Sequence, residues 1–140
     1  MFYYLEPEVA GGFGEDAVVN TASHPPVVTR LEYKFEGWLG DEVLETFPCF
    51  IVTEAVASEI TKLNLTGFSL GSVKVSKSEE FDEMEPLTVL PKFLWLKVEG
   101  QAGVSDFGVA TDHRLVVSDK AKSALEKHQL QYADFEKFVE

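Results

Sequence analysis

The sequence predicts a single α+β domain, mostly antiparallel sheet, with two similar strand-cap-helix units packed on it. Three observations lead there. First, Phe50-Ile51-Val52 is an apolar, largely β-branched run of strand length that ends at Thr53-Glu54 and passes directly into a helical pattern. Val56, Ile60 and Leu63 fall at i, i+4 and i+7, one face of a helix. Thr53 is placed to accept a bond from a first-turn N–H, and Glu54 suits the positive end of the helix dipole. Second, the arrangement returns 65 residues later, where Leu115-Val116-Val117-Ser118-Asp119 leads into Ala121, Leu125 and His128. Third, residues 28–36 alternate strictly. Leu31, Tyr33 and Phe35 point one way, and Arg30, Glu32, Lys34 and Glu36 the other. That is a strand with one buried and one wet face, a pattern typical of antiparallel sheets.

The remaining elements follow in chain order. Residues 2–5 form a first strand, limited by Pro7. Gly11-Gly12-Phe13-Gly14 is a loop and lacks the flanking elements of a dinucleotide or phosphate-binding motif. His24-Pro25-Pro26 is an extended linker, because residues before proline avoid the helical region. Trp38, between Gly37 and Gly40, is either a core plug folded back from a loop or an exposed anchor for a partner. Val43-Leu44 reads as a short helical turn before Phe47-Pro48. Residues 67–75 read as one strand, interrupted or bulged at Gly71. In residues 93–99, Leu94, Leu96 and Val98 share one face while Phe93 and Trp95 share the other with Lys97 and Glu99, so either this strand is covered on both sides for part of its length or two large aromatics stand on an accessible face. Phe107-Gly108-Val109 precedes the second unit, and residues 130–140 fit either strand or helix.

At 140 residues, 45% of them hydrophobic, the chain fills one domain spanning residues 1–140, and two copies of a unit are too few for a solenoid. The start of the chain has no basic region and does not read as a secretory signal, and no apolar run reaches membrane-spanning length. A single cysteine, Cys49, excludes an internal disulfide and fits a reducing cytoplasm. With 24 acidic and 12 basic residues the net charge is −12, which argues against direct binding of nucleic acid. Residues 79–85 hold five carboxylates in seven positions, either a solvated surface or a docking face for a basic partner.

The same residues offer no arrangement for catalysis. His24, His113 and His128 stand in no ligand spacing with one another or with Cys49, so neither a metal site nor a cofactor is expected. Cys49, followed by Phe50-Ile51-Val52, reads as a buried thiol rather than a nucleophile. Asp106-Phe107-Gly108 matches a kinase tripeptide in a chain far too short for a kinase. The expectation is a protein without enzymatic activity.

One family pattern matches the order of these features. The alternating strand is followed by Trp38-Leu39-Gly40-Asp41 and Phe47-Pro48-Cys49-Phe50, then Ile51-Val52-Thr53-Glu54 leading a helix. Leu65-Thr66-Gly67-Phe68 and the closing Leu115-Val116-Val117-Ser118-Asp119 complete it. Over residues 30–128 this resembles the small acidic immunity proteins of bacterial polymorphic toxin systems. The resemblance implies a cytoplasmic antitoxin that binds and blocks a cognate toxin domain, commonly a basic nuclease or deaminase. It transfers no catalytic residues. The contact candidates come instead from charge placement and one tryptophan: Trp38 as anchor, with Asp41, Glu42, Glu45, Glu79, Glu80, Asp82 and Glu83 as acids. The alternative is a small-molecule-binding or enzymatic domain with a dispersed pocket near His113.

Overall fold

The computed structural model describes residues 1–139. In chain order the elements are β1 (Phe2–Glu6), β2 (Gly11–Phe13), β3 (Val18–Asn20), β4 (Val27–Arg30), β5 (Glu32–Phe35), β6 (Val43–Thr46) and β7 (Cys49–Thr53). Next come α1 (Glu54–Lys62), β8 (Phe68–Gly71), β9 (Lys74–Lys77), α2 (Glu79–Met84) and β10 (Phe93–Val98). β11 (Phe107–Val109), β12 (Leu115–Ser118), α3 (Asp119–Leu125) and β13 (Asp134–Lys137) complete the chain. The result is a single α+β domain whose strand pairs are antiparallel, apart from β5 with β9.

Both expected caps form. Thr53 Oγ1 accepts from Val56 N–H at 3.3 Å, and Ser118 Oγ accepts from Ala121 N–H at 3.1 Å. Each hydroxyl also donates to the carboxylate of the residue just before its hairpin: Thr53 to Glu42 at 2.8 Å, Ser118 to Asp106 at 2.6 Å. A nine-residue helix is marginal alone, so α1 depends on burying Val56, Ala57 and Ile60. Leu63 leaves the predicted stripe: it is the C-cap and is 46% exposed.

The repeat runs deeper than the local unit. The two four-stranded sheets have the orders β6-β7-β10-β8 and β11-β12-β1-β13. In each, a hairpin leads through a hydroxyl cap into a helix, and the strand after the helix lies at the far edge. The place between is taken by β10 in one sheet and by β1 in the other. Register repeats as well, with Phe93 opposite Thr53 and Leu96 opposite Phe50, then Phe2 opposite Ser118 and Leu5 opposite Leu115. Thr53 N–H donates to Glu42 C=O at 3.0 Å as Ser118 N–H does to Asp106 C=O at 2.9 Å. Glu54 N–H bonds the carbonyl of Lys92, and Asp119 N–H that of Met1. The 65-residue offset therefore marks a whole sheet-helix unit, the second completed by the first strand of the chain.

Two apolar clusters lie on opposite faces of the β6-β7-β10-β8 sheet. Along β7, Phe50 and Val52 enter the cluster shared with α1, α3 and the other four-stranded sheet, whereas Cys49 and Ile51 enter the one beneath β2-β5-β9. β10 divides in the same way, Leu96 to the first cluster and Phe93 to the second, as its two-sided pattern predicts. This is why Phe50-Ile51-Val52 is apolar without interruption.

Five local expectations are corrected. Gly11-Gly12-Phe13 is not loop but β2, paired with β5 from Gly11 opposite Phe35 to Phe13 opposite Tyr33. Val43-Leu44 is not a helical turn but the start of β6, paired with β7 from Val43 opposite Val52 to Thr46 opposite Cys49. Residues 67–75 are two strands: β8 pairs with β10, and after Gly71 the chain crosses to pair β9 with β5. Residues 28–36 also divide, β4 pairing with β3 and β5 with β2 and β9. Glu32, expected on the wet face, is buried, because it accepts from Ser76 Oγ at 2.5 Å and Asp16 N–H at 2.7 Å.

Candidate functional site

The acidic run forms a capped helix, α2. Ser78 Oγ accepts from Phe81 N–H at 3.1 Å, and Glu79, Glu80 and Asp82 sit in the first turn, where the dipole favours them. Phe81, 1% exposed, plugs the helix into the core against Phe35, their ring centroids 6.3 Å apart. Glu79, Glu80, Asp82 and Glu83 all remain on the solvent side.

The chain then arches away from the core and returns at Leu90, which packs on the second cluster. Met84, the last residue of α2, is 80% exposed, and on the arch Leu87 is 92% and Val89 87% exposed. Lys77 Nζ pins it by donating to Thr88 C=O at 3.0 Å. The only sequence signal for Leu87 and Val89 is an apolar pattern between Pro86 and Pro91 with neither helical nor strand continuity, and Met84 is a lone apolar residue among carboxylates.

Trp38 folds back and is half-buried, its Nε1–H donating to Asp41 C=O at 2.9 Å. Its ring meets Phe35 at 6.3 Å and Phe93 at 6.1 Å. Phe35 thus carries Trp38 and Phe81, which links the tryptophan loop to the acidic helix through one buried ring. The loop is shaped by a residue not singled out in the sequence, Glu8, whose carboxylate accepts from Leu39 N–H at 2.8 Å and Asp41 N–H at 3.3 Å. Burial raises the pKa of Glu8.

The acids near Trp38 prove to be structural. Asp41 is 0% exposed and is not a surface contact. Its carboxylate accepts from the N–H groups of Gln131 and Tyr132 at 2.9 and 2.8 Å, tying the loop to the segment after α3. Glu42 is engaged by Thr53 Oγ1 and, at 2.8 Å, by Gln129 N–H. Glu45 is half-buried, and burial, then the neighbouring charge of Glu6, pushes its carboxyl up to about 6. Of the candidate acids, Glu79, Glu80, Asp82 and Glu83 are the exposed ones.

His113 adopts a left-handed backbone conformation (φ 71°) and packs edge-on to His24 at 5.4 Å and Phe47 at 6.3 Å. It lines neither the cleft beside Val28 and Pro48 nor the one beside Arg30 and Lys74. Burial pushes the Cys49 thiol up to about 12, so it stays protonated and is a poor nucleophile at neutral pH. Among the described residues no group of three or more His, Cys, Asp or Glu is arranged to hold a metal ion, and no helix is long and apolar enough to cross a membrane. Comparison with protein-family models, curated proteins and solved structures found no match to this chain.

Proposed function

We propose that this protein is a cytoplasmic immunity protein, a non-enzymatic inhibitor that binds a cognate bacterial toxin domain with a basic surface, such as a nuclease or deaminase. The observation that carries the reading is the pairing on α2 and its arch. Four outward carboxylates stand beside three exposed apolar side chains, in a chain of net charge −12. Each part has a physical task. The carboxylates steer a cationic partner and raise the association rate, while burial of Met84, Leu87 and Val89 slows dissociation. The motif-order resemblance to immunity proteins supports the same reading.

The test is binding to the product of the neighbouring gene, measured by stopped flow over a salt series. Reversing Glu79, Glu80, Asp82 and Glu83 to Lys should slow association at least about tenfold at low salt, with the gap narrowing as the screening length falls below about 8 Å. Leu87→Asp should instead act on dissociation. Rates indifferent to salt, to reversal and to Leu87→Asp would remove this surface from the mechanism. Absence of any binding or protection would remove the inhibitor reading itself.

A further inference from the structure

Two clefts share a wall made by Thr29, Trp95 and Lys97, between the β3–β4 hairpin and the β6-β7-β10-β8 sheet. One, of about 410 Å³, is lined by apolar groups that include Val28, Pro48, Val98 and Val109. The other, of about 370 Å³, is lined by Arg30 and Lys74. An apolar chamber thus opens beside a cationic one in a strongly acidic protein. Such a pairing of a mostly apolar concavity with a few placed charges is the usual form of a small-ligand site.

Lys97 is held in position. Its Nζ lies 4.6 Å from the centroid of the Trp95 ring. Gly71, opposite Trp95 in the ladder, leaves room for it: a Cβ at Gly71 would stand 2.9 Å from Lys97 Cε. Among the described residues no carboxylate is within ion-pair distance of Lys97 or Arg30. Asp16 is engaged by Lys74, whose hydrogen bond and charge hold its carboxyl below the usual range, with Arg30 adding to the effect.

The repeat supplies an internal comparison. Tyr4 in β1 stands opposite Val116 as Trp95 in β10 stands opposite Ile51. Tyr4 also carries a cation, the Arg114 guanidinium, 3.6 Å from its ring centroid. There the cation is neutralised from within the chain, by Asp112 at 2.8 Å and Glu136 at 3.6 Å. At Trp95 the cation stands without an acid among the described residues, because Gly71 occupies the place that Glu136 holds opposite Tyr4.

We propose that this groove binds a small amphipathic organic anion. Its apolar body fills the chamber beside Val28, Pro48 and Val109, and its anionic group lies between Lys97 and Arg30. Local charge governs the site despite the net charge of −12, because distant carboxylates are screened within about 8 Å at physiological ionic strength. The site is separate from the acidic surface of α2, and its failure would leave the inhibitor reading untouched.

The test uses anilinonaphthalene sulfonate, an aromatic anion, beside uncharged Nile red. Both are titrated against the full chain in a Trp38→Phe background, so that Trp95 is the reporting tryptophan. One saturable sulfonate site that quenches Trp95 is expected. Arg30→Ala and Lys97→Ala should each weaken sulfonate about tenfold, the loss expected for one charge-assisted bond, and leave Nile red unchanged. Gly71→Ala, which displaces Lys97 without removing a charge, should weaken sulfonate in the same sense. Glu80→Lys with Glu83→Lys, a control for net charge, should change nothing. Circular dichroism establishes that each variant is folded. Equal loss of both probes, no loss in either cation variant, or unsaturable binding would each overturn the proposal.

Discussion

Replacing Ser118 by Ala removes two interactions at once, and Ser78 provides the means to separate them. Ser118 Oγ accepts from Ala121 N–H at 3.1 Å and donates to Asp106 Oδ1 at 2.6 Å. Ser78 Oγ makes the cap bond alone among the described contacts, to Phe81 N–H at 3.1 Å. Loss of a cap costs about 1 kcal/mol. A hydrogen bond to a charged group is worth about 1.5–3 kcal/mol, and the lower end applies because Asp106 keeps its bonds from Thr66 N–H at 2.9 Å and Oγ1 at 3.2 Å. Ser118→Ala should therefore cost about 2–2.5 kcal/mol against about 1 kcal/mol for Ser78→Ala. Thr53→Val, losing a longer cap bond of 3.3 Å and the 2.8 Å bond to Glu42, should cost about 2 kcal/mol. Urea melts measure all three, and a cycle of Ser118→Ala with Asp106→Asn should give a coupling near 1 kcal/mol. The effect also has a pH signature. Burial acts to raise the pKa of Asp106, but the Ser118 and Thr66 bonds outweigh it and hold the carboxyl below its ordinary value of 3.8. The coupling should be complete above that ordinary pKa and fade as pH falls through the folded one. Equal costs for Ser78→Ala and Ser118→Ala, with no coupling, would refute the account of the repeated cap as a double anchor.

Glu45 offers a test of opposite sign. Its carboxyl is pushed up to about 6 from 4.5 by burial and then by Glu6, so the native state binds the proton more tightly than the unfolded chain. Stability should fall as pH rises from about 4.5 past 6, and Glu45→Gln should gain about 1–2 kcal/mol at pH 8 and little at pH 4, read from paired urea melts. On α2, Phe81→Ala should cost about 3–4 kcal/mol, because the ring is 1% exposed and fills the core beside Phe35. Leu87→Ala, at a side chain 92% exposed, should stay within about 0.5 kcal/mol. Thermal melts of the two variants separate the structural half of this segment from its exposed half.

Features that depend on residues a few positions apart are written in the sequence. The hydroxyl caps at Thr53 and Ser118 were legible because the cap, the acid after it and the helical stripe lie within one or two turns. The two-sided character of β10 was legible because side chains alternate along a strand whatever its neighbours are. The tertiary structure decided what depends on distant partners. Val43-Leu44 is strand because β7 pairs with it, and residues 67–75 split because β10 takes one half and β5 the other. Asp41 belonged by charge to a surface, yet it is buried because the N–H groups of Gln131 and Tyr132, some 90 positions on, need an acceptor there. Phe81 was hidden among five carboxylates, since a helix that buries one ring has no apolar stripe to reveal it. The fullest instance is the repeat. Its cap and helix could be aligned by eye, but its fourth strand in the second sheet is β1, from the other end of the chain. No periodicity links Phe2 to Ser118; only the hydrogen-bonded ladder between them does.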